Sequence, residues 1–223
     1  KAANLLSKAK FPVILSGAGV VIGDAIDECK KLAEKLDAPV CSGYQHNDSF
    51  PGSHPLAVGP LGYNGSKAAM QLISKADVVL ALGTRLNPFS TLPGYGIDYW
   101  PKNASIIQVD INPDRIGLTK KVTVGISGDA KLVSQQILSK LSTDAGSNGR
   151  DERKNLIHQT KSAWLQTLSG LDHEEDDPGT VWNKEARERD KNRMSPRQAW
   201  RAIQAAIPED AIISSDIGNN CAI

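Results

Sequence analysis

The sequence predicts an α/β protein built on a parallel β-sheet with helices on both faces. Three observations predict this class. Short, continuous apolar runs recur along the first 141 residues, as at Val78–Leu82, and amphipathic segments such as 24–36 lie between them. Gly-containing turns follow several of the runs, as at Gly83. Apolar runs without alternation are typical of strands that are buried on both faces, and this burial is characteristic of parallel sheets.

The predicted elements follow in chain order. A helix opens the chain over residues 2–9, where Leu5 and Leu6 lie among alanines and lysines. Strands are predicted for the apolar runs 11–15, 38–41, 78–82, 106–110 and 122–126. Apolar residues at helical spacing predict helices over 24–36, 67–75 and 129–141. Asp129 is the expected N-cap of the last helix, because its carboxylate can accept a bond from a backbone amide of the first turn.

The composition changes at Ser142, and we therefore divide the chain into three parts. Residues 1–141 form a central α/β domain, 142–194 a charged helical linker, and 195–223 the start of a second α/β domain. The charge runs HEEDD at 173–177 and KEARERDKNR at 184–193 predict a solvated face.

In the third part, Ser195 and Pro196 suit the start of a helix, and the apolar run 211–215 predicts a strand. The chain lacks an initial Met and closes just past this strand, so we expect it to be a piece of a larger protein.

Charge and cysteine content exclude several classes of function. The net charge of +1 over 223 residues gives no reason to expect a nucleic-acid or membrane partner. No apolar run approaches the roughly 20 residues that span a bilayer. Cys29, Cys41 and Cys221 are odd in number and form no CxxC pair. We therefore expect reduced thiols in a cytoplasmic protein, with neither a zinc site nor a disulfide framework.

Two segments could contact a nucleotide. Gly17, Gly19 and Gly23 follow the first strand with the spacing GxGxxxG. Such glycines either let a phosphate approach a helix N-terminus or allow a tight, closely packed turn, and the irregular spacing favours the turn. Asp110 ends the fourth predicted strand and could bind a ribose hydroxyl. Asp110, Asn112 and Pro113 are also residues that suit a turn or a helix cap.

Two long loops between Cys41 and Trp100 flank the strand Val78–Leu82. Loops of this length are usually functional or disordered, and their apolar and aromatic content argues against disorder. His46 and His54, with Asp48 between them, could bind a metal or transfer protons, although ordinary loop hydrogen bonding is the simpler interpretation.

Arg85 follows a strand at the edge where parallel sheets bind ligands, and either a ligand contact or a structural ion pair would suit it. Tyr95, Tyr99 and Trp100 could line a pocket, but exposed aromatic residues favour a subunit interface.

The order of several blocks resembles the thiamine-diphosphate-dependent enzymes of the acetolactate synthase type. The matching blocks are PVILSGAGV, LAEKLDAPV, FPGSHPLAVGPLGYNGSKAAM, ADVVLALGTRLNPFS, IIQVDINPDRIG and VGISGDAK. They imply the Rossmann-like, parallel-sheet central domain of this family. The later block SPRQAWRAIQAAIPEDAIISSDIGNN resembles the start of the family's C-terminal, diphosphate-binding domain.

Other blocks differ from the acetolactate synthases themselves. Those enzymes typically have a GMHG-like block where this chain has GYNG at 62–65, and an RFDDR-like block where it has RLNPF at 85–89. The second difference makes FAD doubtful as a cofactor. Together with GYQHNDSFPGSHPL and STLPGYGIDYWP, these blocks resemble a branch of the family that converts sulfoacetaldehyde and phosphate to acetyl phosphate and sulfite, in sulfonate and taurine degradation.

The resemblance implies thiamine diphosphate and Mg²⁺ as cofactors and a homo-oligomer, with small molecules as substrates. Gly218, Asn219 and Asn220 occupy positions where the family commonly contacts the diphosphate, so they are the candidate cofactor-binding residues. The resemblance gives no catalytic or metal-binding residue within the 223 positions, so we expect no turnover by this chain alone. An acetolactate synthase or another 2-oxo-acid decarboxylase remains an alternative. For the isolated chain, a nucleotide-binding or purely structural domain is a further alternative.

Overall fold

The structure is a computed structural model that describes residues 1–62, 65–172, 196–208 and 210–213. The chain divides into two compact units, Lys1–Trp164 and Leu165–Ile223. The first unit contains a six-stranded sheet in which each pair of neighbouring strands is parallel. The predicted α/β class with a parallel sheet is therefore confirmed.

The strands run in the spatial order β3-β2-β1-β4-β5-β6. Their bounds are β1 Pro12–Ser16, β2 Val40–Ser42, β3 Ala57–Pro60, β4 Val78–Leu82, β5 Ser105–Asp110 and β6 Val124–Ser127. The chain builds outward from β1 to one edge of the sheet and from β4 to the other. This order creates a topological switch point between β1 and β4, where sheets of this kind bind ligands.

Helices of the first unit cover both faces of the sheet. The helices up to residue 140 are α1 Ala2–Lys8, α2 Ala18–Ile22, α3 Ile26–Leu36, α4 Lys67–Ile73 and α5 Ala130–Lys140. They are followed by α6 Arg150–Asp172, which begins in the first unit, and by α7 Pro196–Ala206 of the second unit. Asp129 caps α5 as predicted, since its Oδ1 accepts a hydrogen bond of 3.0 Å from the Leu132 amide. None of the described helices is long and apolar enough to cross a membrane.

Alternate residues of the central strands pack into two separate apolar cores. Ile14 of β1 points into the core formed with α1, α3 and α5. Its neighbours Val13 and Leu15 point into the core formed with α4 and Ile157 of α6. All five residues of β1 and of β4 are buried. This explains why these two strands appear in the sequence as continuous apolar runs.

Three predicted elements need correction. The predicted loop after β2 contains the edge strand β3, whose AVGP sequence carries too little β-branched and aromatic content to be recognised as a strand. The segment 24–36 is helical only from Ile26, because Asp24 has a φ of +49° and separates α2 from α3.

Residues 211–213 of the predicted strand 211–215 form no strand, since no described strand pairs with them to satisfy their backbone groups. Residues 214 and 215 lie outside the described residues, as does Ser195 at the predicted start of α7.

Arg153 lies near the start of the predicted linker, and its charge is buried. Its side chain is only 1 % exposed, and its guanidinium donates hydrogen bonds to five backbone carbonyls. These belong to Lys10, Leu36, Asp37, Gly146 and Asn148. Arg153 thus joins the start of α6 to the chain before β1 and to the end of α3. The two charge runs that predict a solvated face, 173–177 and 184–193, lie outside the described residues. The position of the predicted boundary at 141 stays a prediction.

Candidate functional site

A cleft of about 380 Å³ lies at the carboxyl ends of the strands, beside the switch point between β1 and β4. Its lining comes from the turns that follow β1, β2, β4, β5 and β6. Parallel strands bring their carboxyl ends to one edge, so residues far apart in sequence meet there. The predicted residues Gly17, Gly19, His46, Arg85 and Asp110 all line this cleft.

In the Gly loop, residues 17–19 at one side of the cleft, the amides of both glycines bond to backbone carbonyls of the same chain, and we call this loop closed. The Gly17 amide donates to the Leu82 carbonyl at 3.1 Å, and the Gly19 amide donates to the Gly83 carbonyl at 2.8 Å. A Cβ added at Gly19 would lie 2.7 Å from the Gly83 Cα, and one at Gly17 would lie 2.6 Å from the Thr84 Cβ. The glycines are needed for close packing of two turns, and two of their amides are not available to a phosphate.

Asp110 takes part in a turn while it lines the cleft. Its Oδ1 accepts a 2.9 Å hydrogen bond from the Asn112 amide, and the Asn112 Oδ1 accepts one of the same length from Asp114. These are the side chain–backbone bonds that Asp and Asn make in turns. The structure therefore supports the turn interpretation and leaves the second carboxylate oxygen at the cleft as a possible ligand contact.

Arg85 and Arg115 both line the cleft, and both side chains are exposed. Within the described part of the chain, neither guanidinium forms an ion pair. The described residues therefore give no support to a structural ion pair of Arg85. Arg115 was not singled out from the sequence, although its position five residues after a strand end would have placed it at the same edge of the sheet.

The structure separates the two loop histidines. His46 lines the cleft, and its Nδ1 lies 4.0 Å from the Asp48 carboxylate. His54 lies elsewhere: its Nδ1 accepts a bond of 3.1 Å from the Leu56 amide, and its Nε2 lies 3.3 Å from the Glu34 carboxylate. No group of three or more His, Cys, Asp or Glu side chains among the residues described is arranged to bind a metal ion.

Ser90 joins the loop that follows β2 to the loop that follows β4. Its Oγ accepts a 2.9 Å hydrogen bond from the Tyr44 amide, and its carbonyl accepts one of 3.1 Å from the Tyr99 hydroxyl. The Tyr44 ring stacks on Phe89 with 5.7 Å between centroids. Gly62, with a φ of +88°, meets the same loop so closely that an added Cβ would lie 1.6 Å from the Phe89 carbonyl oxygen. The two long loops therefore form one packed wall.

Tyr99 belongs to the core, which corrects its interpretation as an interface residue. The side chain is 1 % exposed, and burial raises the pKa of its hydroxyl above the ordinary value of 10.0. Tyr95 remains 55 % exposed, although its hydroxyl donates to the Gly65 carbonyl and its ring meets Trp164 edge to face. Trp100 is half-buried beneath the ammonium of Lys120.

Cys29 and Cys41 are free thiols in the apolar cores. Burial raises the pKa of the Cys29 thiol to about 12, and that of Cys41 further still. Neither thiol is a candidate nucleophile, because the reactive species is the thiolate. The remaining predicted residues, Cys221 and the candidate cofactor-binding residues Gly218, Asn219 and Asn220, lie outside the described residues.

Gln108 is, with Arg115, a functional candidate that the sequence analysis did not single out. It is a polar residue in the middle of the apolar strand β5 and is 1 % exposed. Its side chain bonds to the turns that carry Arg85 and Arg115. An amide inside a strand that is otherwise buried and apolar needs partners, and this could have been recognised from the sequence alone.

Comparison with known families matches residues 1–137 to the model described as "Thiamine pyrophosphate enzyme, central domain". The matched segment includes the whole sheet and every described residue that lines the cleft.

Several curated relatives resemble the chain over all or nearly all of its length. The chain is 78 % identical over 223 residues to a probable sulfoacetaldehyde acetyltransferase of Rhizobium meliloti, covering all of this chain and 38 % of that protein. It is 73 % identical to the sulfoacetaldehyde acetyltransferase of Roseovarius nubinhibens, again over the whole chain, which covers 37 % of that protein. A probable acetolactate synthase large subunit of Methanococcus aeolicus is 31 % identical over 99 % of the chain. The chain thus spans well under half the length of these relatives.

Proposed function

We propose that this chain, which belongs to the thiamine pyrophosphate enzyme family and carries its central domain, is part of a sulfoacetaldehyde acetyltransferase. The observation that carries the proposal is the 78 % identity to a relative of that name across all 223 residues. The relative named as an acetolactate synthase is far less similar, at 31 % identity. The proposed reaction converts sulfoacetaldehyde and phosphate to acetyl phosphate and sulfite, as a step in the degradation of sulfonates such as taurine.

Thiamine diphosphate, when bound, supplies the carbanion chemistry that breaks and forms bonds at the carbonyl carbon of the substrate. The described residues offer no metal-ligand cluster for the accompanying Mg²⁺. We therefore propose that both cofactors are bound mainly by segments other than these, with Gly218, Asn219 and Asn220 as the contribution of this chain to the diphosphate. Magnesium would take carboxylate and amide oxygens as ligands.

The described residues would serve the reaction by holding loops in place. Ser90, Tyr44 and Tyr99 fix the wall of the cleft by hydrogen bonds, and Gly62 allows the backbones of two loops to touch. A wall of this kind can orient the parts of an active site that pack against it, and orientation is a large part of what a protein adds to cofactor chemistry. We propose this positioning role for the segment between Cys41 and Trp100.

We do not include FAD among the proposed cofactors. A pyrophosphate bound in the usual manner needs amide donors from the Gly-rich turn, but the amides of Gly17 and Gly19 already donate to Leu82 and Gly83. This closure supports the doubt raised by the RLNPF block.

A second candidate function is nucleotide binding by the central domain. The observation that favours it is the cleft at the topological switch point of a 3-2-1-4-5-6 sheet, which is where dinucleotide-binding sheets hold their ligands. Arg85 and Arg115, which form no ion pair with the described residues, would suit the phosphate, and the Asp110 carboxylate would suit the ribose of a short nucleotide. Titration of the 223-residue chain with ADP, followed by calorimetry, tests this candidate.

The acetyltransferase proposal is tested on the complete natural reading frame that contains these residues. With thiamine diphosphate, Mg²⁺, phosphate and sulfoacetaldehyde, we expect equal amounts of sulfite and acetyl phosphate. Formation of acetolactate from pyruvate, without sulfite release, would assign the chain to the alternative synthase. The 223-residue chain under the same conditions should release no sulfite, and release would disprove the proposal that other segments bind the cofactors.

The cellular setting is also a proposal. Buried, protonated thiols at Cys29 and Cys41 suit a reducing cytoplasm, and the exposed aromatic ring of Tyr95 suits contact with a second copy in a homo-oligomer. Fractionation of cells and light scattering of the purified protein would test these two points.

A further inference from the structure

Gln108 is a buried polar residue whose side chain takes no part in the pairing of the strands. It lies in β5 opposite Ala81 of β4 and Gly125 of β6, with Ile107 and Val109 beside it. A buried amide without hydrogen-bond partners would destabilise the fold. An apolar residue would therefore suit the strand better unless the amide has a specific task.

The amide joins two turns at the carboxyl edge of the sheet. Its Nε2 donates to the carbonyls of Thr84 and Arg115, each at 3.1 Å. Its Oε1 accepts a hydrogen bond of 2.8 Å from the Gly117 amide. One turn follows β4 and the other follows β5. The ladder between these strands continues to the bond from the Gly83 amide to the Val109 carbonyl, and the Gln108 side chain ties the two backbones together beyond that point.

A second bond strengthens this connection. The Thr119 hydroxyl donates to the Leu86 carbonyl at 2.8 Å. Leu86 is buried and has a φ of +54°, a conformation that a leucine adopts only when its surroundings enforce it. The backbone on both sides of Arg85 is therefore tied to the segment that carries Arg115.

We infer that Gln108 is a positioning residue, which sets the separation of Arg85 and Arg115 so that both guanidinium groups bind one phosphate-bearing ligand in the cleft. The inference rests on the proposed nucleotide-binding role of the cleft. Asp110 and Asp129 line the same cleft and repel an anion. One arginine would do little more than offset this repulsion, so binding requires that both arginines act together.

The closed Gly loop makes the two arginines more important. Two amides that could have bound a phosphate, those of Gly17 and Gly19, donate to carbonyls of the chain itself. Side chains therefore supply part of the anion-binding capacity of the cleft, and their positions depend on the backbone that carries them. This is why a buried amide without ligand contact can control affinity.

The test is calorimetric titration of the 223-residue chain with ADP and, separately, with inorganic pyrophosphate. Gln108→Met keeps the volume of the side chain and removes all three hydrogen bonds. We expect it to weaken binding about tenfold, because the two guanidinium groups lose their fixed separation. Arg115→Gln should weaken binding about as much, because it removes one charge-assisted contact with the phosphate; tenfold corresponds to about 1.4 kcal/mol. Gln135→Met is the matched control, because Gln135 bonds to Glu28 on the far helices and does not line the cleft.

The double variant distinguishes positioning from general destabilisation. If Gln108 acts through the arginines, Gln108→Met should weaken binding little further in an Arg115→Gln background. Fully additive losses, or wild-type affinity in Gln108→Met, would overturn the inference and leave the nucleotide-binding proposal intact. If the wild type binds neither ADP nor pyrophosphate, the inference about Gln108 and the nucleotide-binding proposal are both wrong. The acetyltransferase proposal would be unaffected, because its test is sulfite release by the complete reading frame.

A milder variant covers the case in which Gln108→Met does not fold. Thr119→Val removes only the bond to the Leu86 carbonyl, and Thr119 is exposed. We expect about threefold weaker binding with an unchanged melting temperature. An affinity equal to that of the wild type would contradict the inference.

Discussion

Arg153 and Arg85 carry the same guanidinium group in opposite settings. Arg153 is buried where α6 meets the sheet, and five backbone carbonyls accept its hydrogen bonds. Arg85 lies exposed at the cleft with no ion pair in the described part of the chain. Burial lowers the pKa of Arg153, although nearby Asp37 favours its charged form. One arginine is fully occupied in holding the fold, and the other is available to a ligand.

The difference shows that the partners of a charged group decide its role more than its chemistry does. Carbonyl oxygens satisfy the donors of Arg153 and offset the desolvation of its charge. At the cleft, the guanidinium groups of Arg85 and Arg115 keep their water and add little to stability. The predictions below test this contrast between the α6 anchor, meaning Arg153 and its five carbonyls, and the cleft.

The largest effect is expected at the α6 anchor. Arg153→Met keeps the apolar stem but leaves the five carbonyls without their donor, so we expect a loss of about 3–5 kcal/mol in the free energy of unfolding. Urea denaturation measures it. The control is Lys154→Met, because Lys154 is half exposed and its ammonium lies 3.3 Å from Asp37; it should lose less than about 1 kcal/mol. Equal losses in both variants would contradict the contrast.

The closed Gly loop should respond next. In Gly19→Ala the new Cβ would meet the Gly83 backbone at 2.7 Å. We expect a loss of about 1–3 kcal/mol from overpacking, with or without ligand. Gly52→Ala, where nothing lies within 4 Å of the added atom, should change stability by less than about 0.5 kcal/mol. A Gly19→Ala variant that keeps its stability and loses only ligand binding would restore the phosphate-loop interpretation.

Buried thiols predict a loss of stability at alkaline pH. The unfolded Cys29 thiol ionises near pH 9.0, whereas in the folded protein its pKa is about 12. Between these values the folded state binds more protons, so stability falls as pH rises, by up to about 1.4 kcal/mol per pH unit for this thiol. Urea denaturation from pH 8 to pH 11 measures the slope. Cys29→Ala should reduce the slope, while Cys41 and Tyr99 maintain part of it; an unchanged slope would assign the loss to other groups.

The smallest effect on stability is expected at the cleft itself. Arg85→Gln removes an exposed side chain without an ion pair among the described residues, so the free energy of unfolding should change by less than about 0.5 kcal/mol. The same variant should weaken binding of ADP if the cleft is a nucleotide site. A marked loss of stability would show that Arg85 has a structural partner, and the contrast with Arg153 would disappear.

Much of the first unit could be predicted from the sequence. The strands β1, β4 and β5 lie within two residues of their predicted bounds, because continuous apolar runs and the Gly turns that end them are local signals. Asp129 was recognisable as a cap for the same reason. The edge strand β3 was missed, since an edge position tolerates the short AVGP sequence that carries no strand pattern.

The site was predicted only in part. His46, Arg85 and Asp110 were singled out because they follow strands or lie in long loops, and the structure brings them to one cleft. The role of Gln108 depends on contacts with Thr84 and Arg115, which no local pattern reveals. For Tyr99 the sequence left a pocket and a subunit interface open and favoured the interface, because exposed aromatic residues mark contacts. The side chain is instead buried, and its hydroxyl bonds to the Ser90 carbonyl inside the core.

The sequence by itself determined the α/β class, the positions of five of the six strands of the sheet and the family resemblance. These depend on hydrophobic periodicity, on turn residues and on short sequence motifs, all of which are local features of the chain. Only the tertiary structure decided which arginine is buried, which glycines pack against one another and which side chains face the cleft. Burial and hydrogen-bond partners arise from residues far apart in the chain, and a group's energy depends on those partners rather than on its neighbours in sequence.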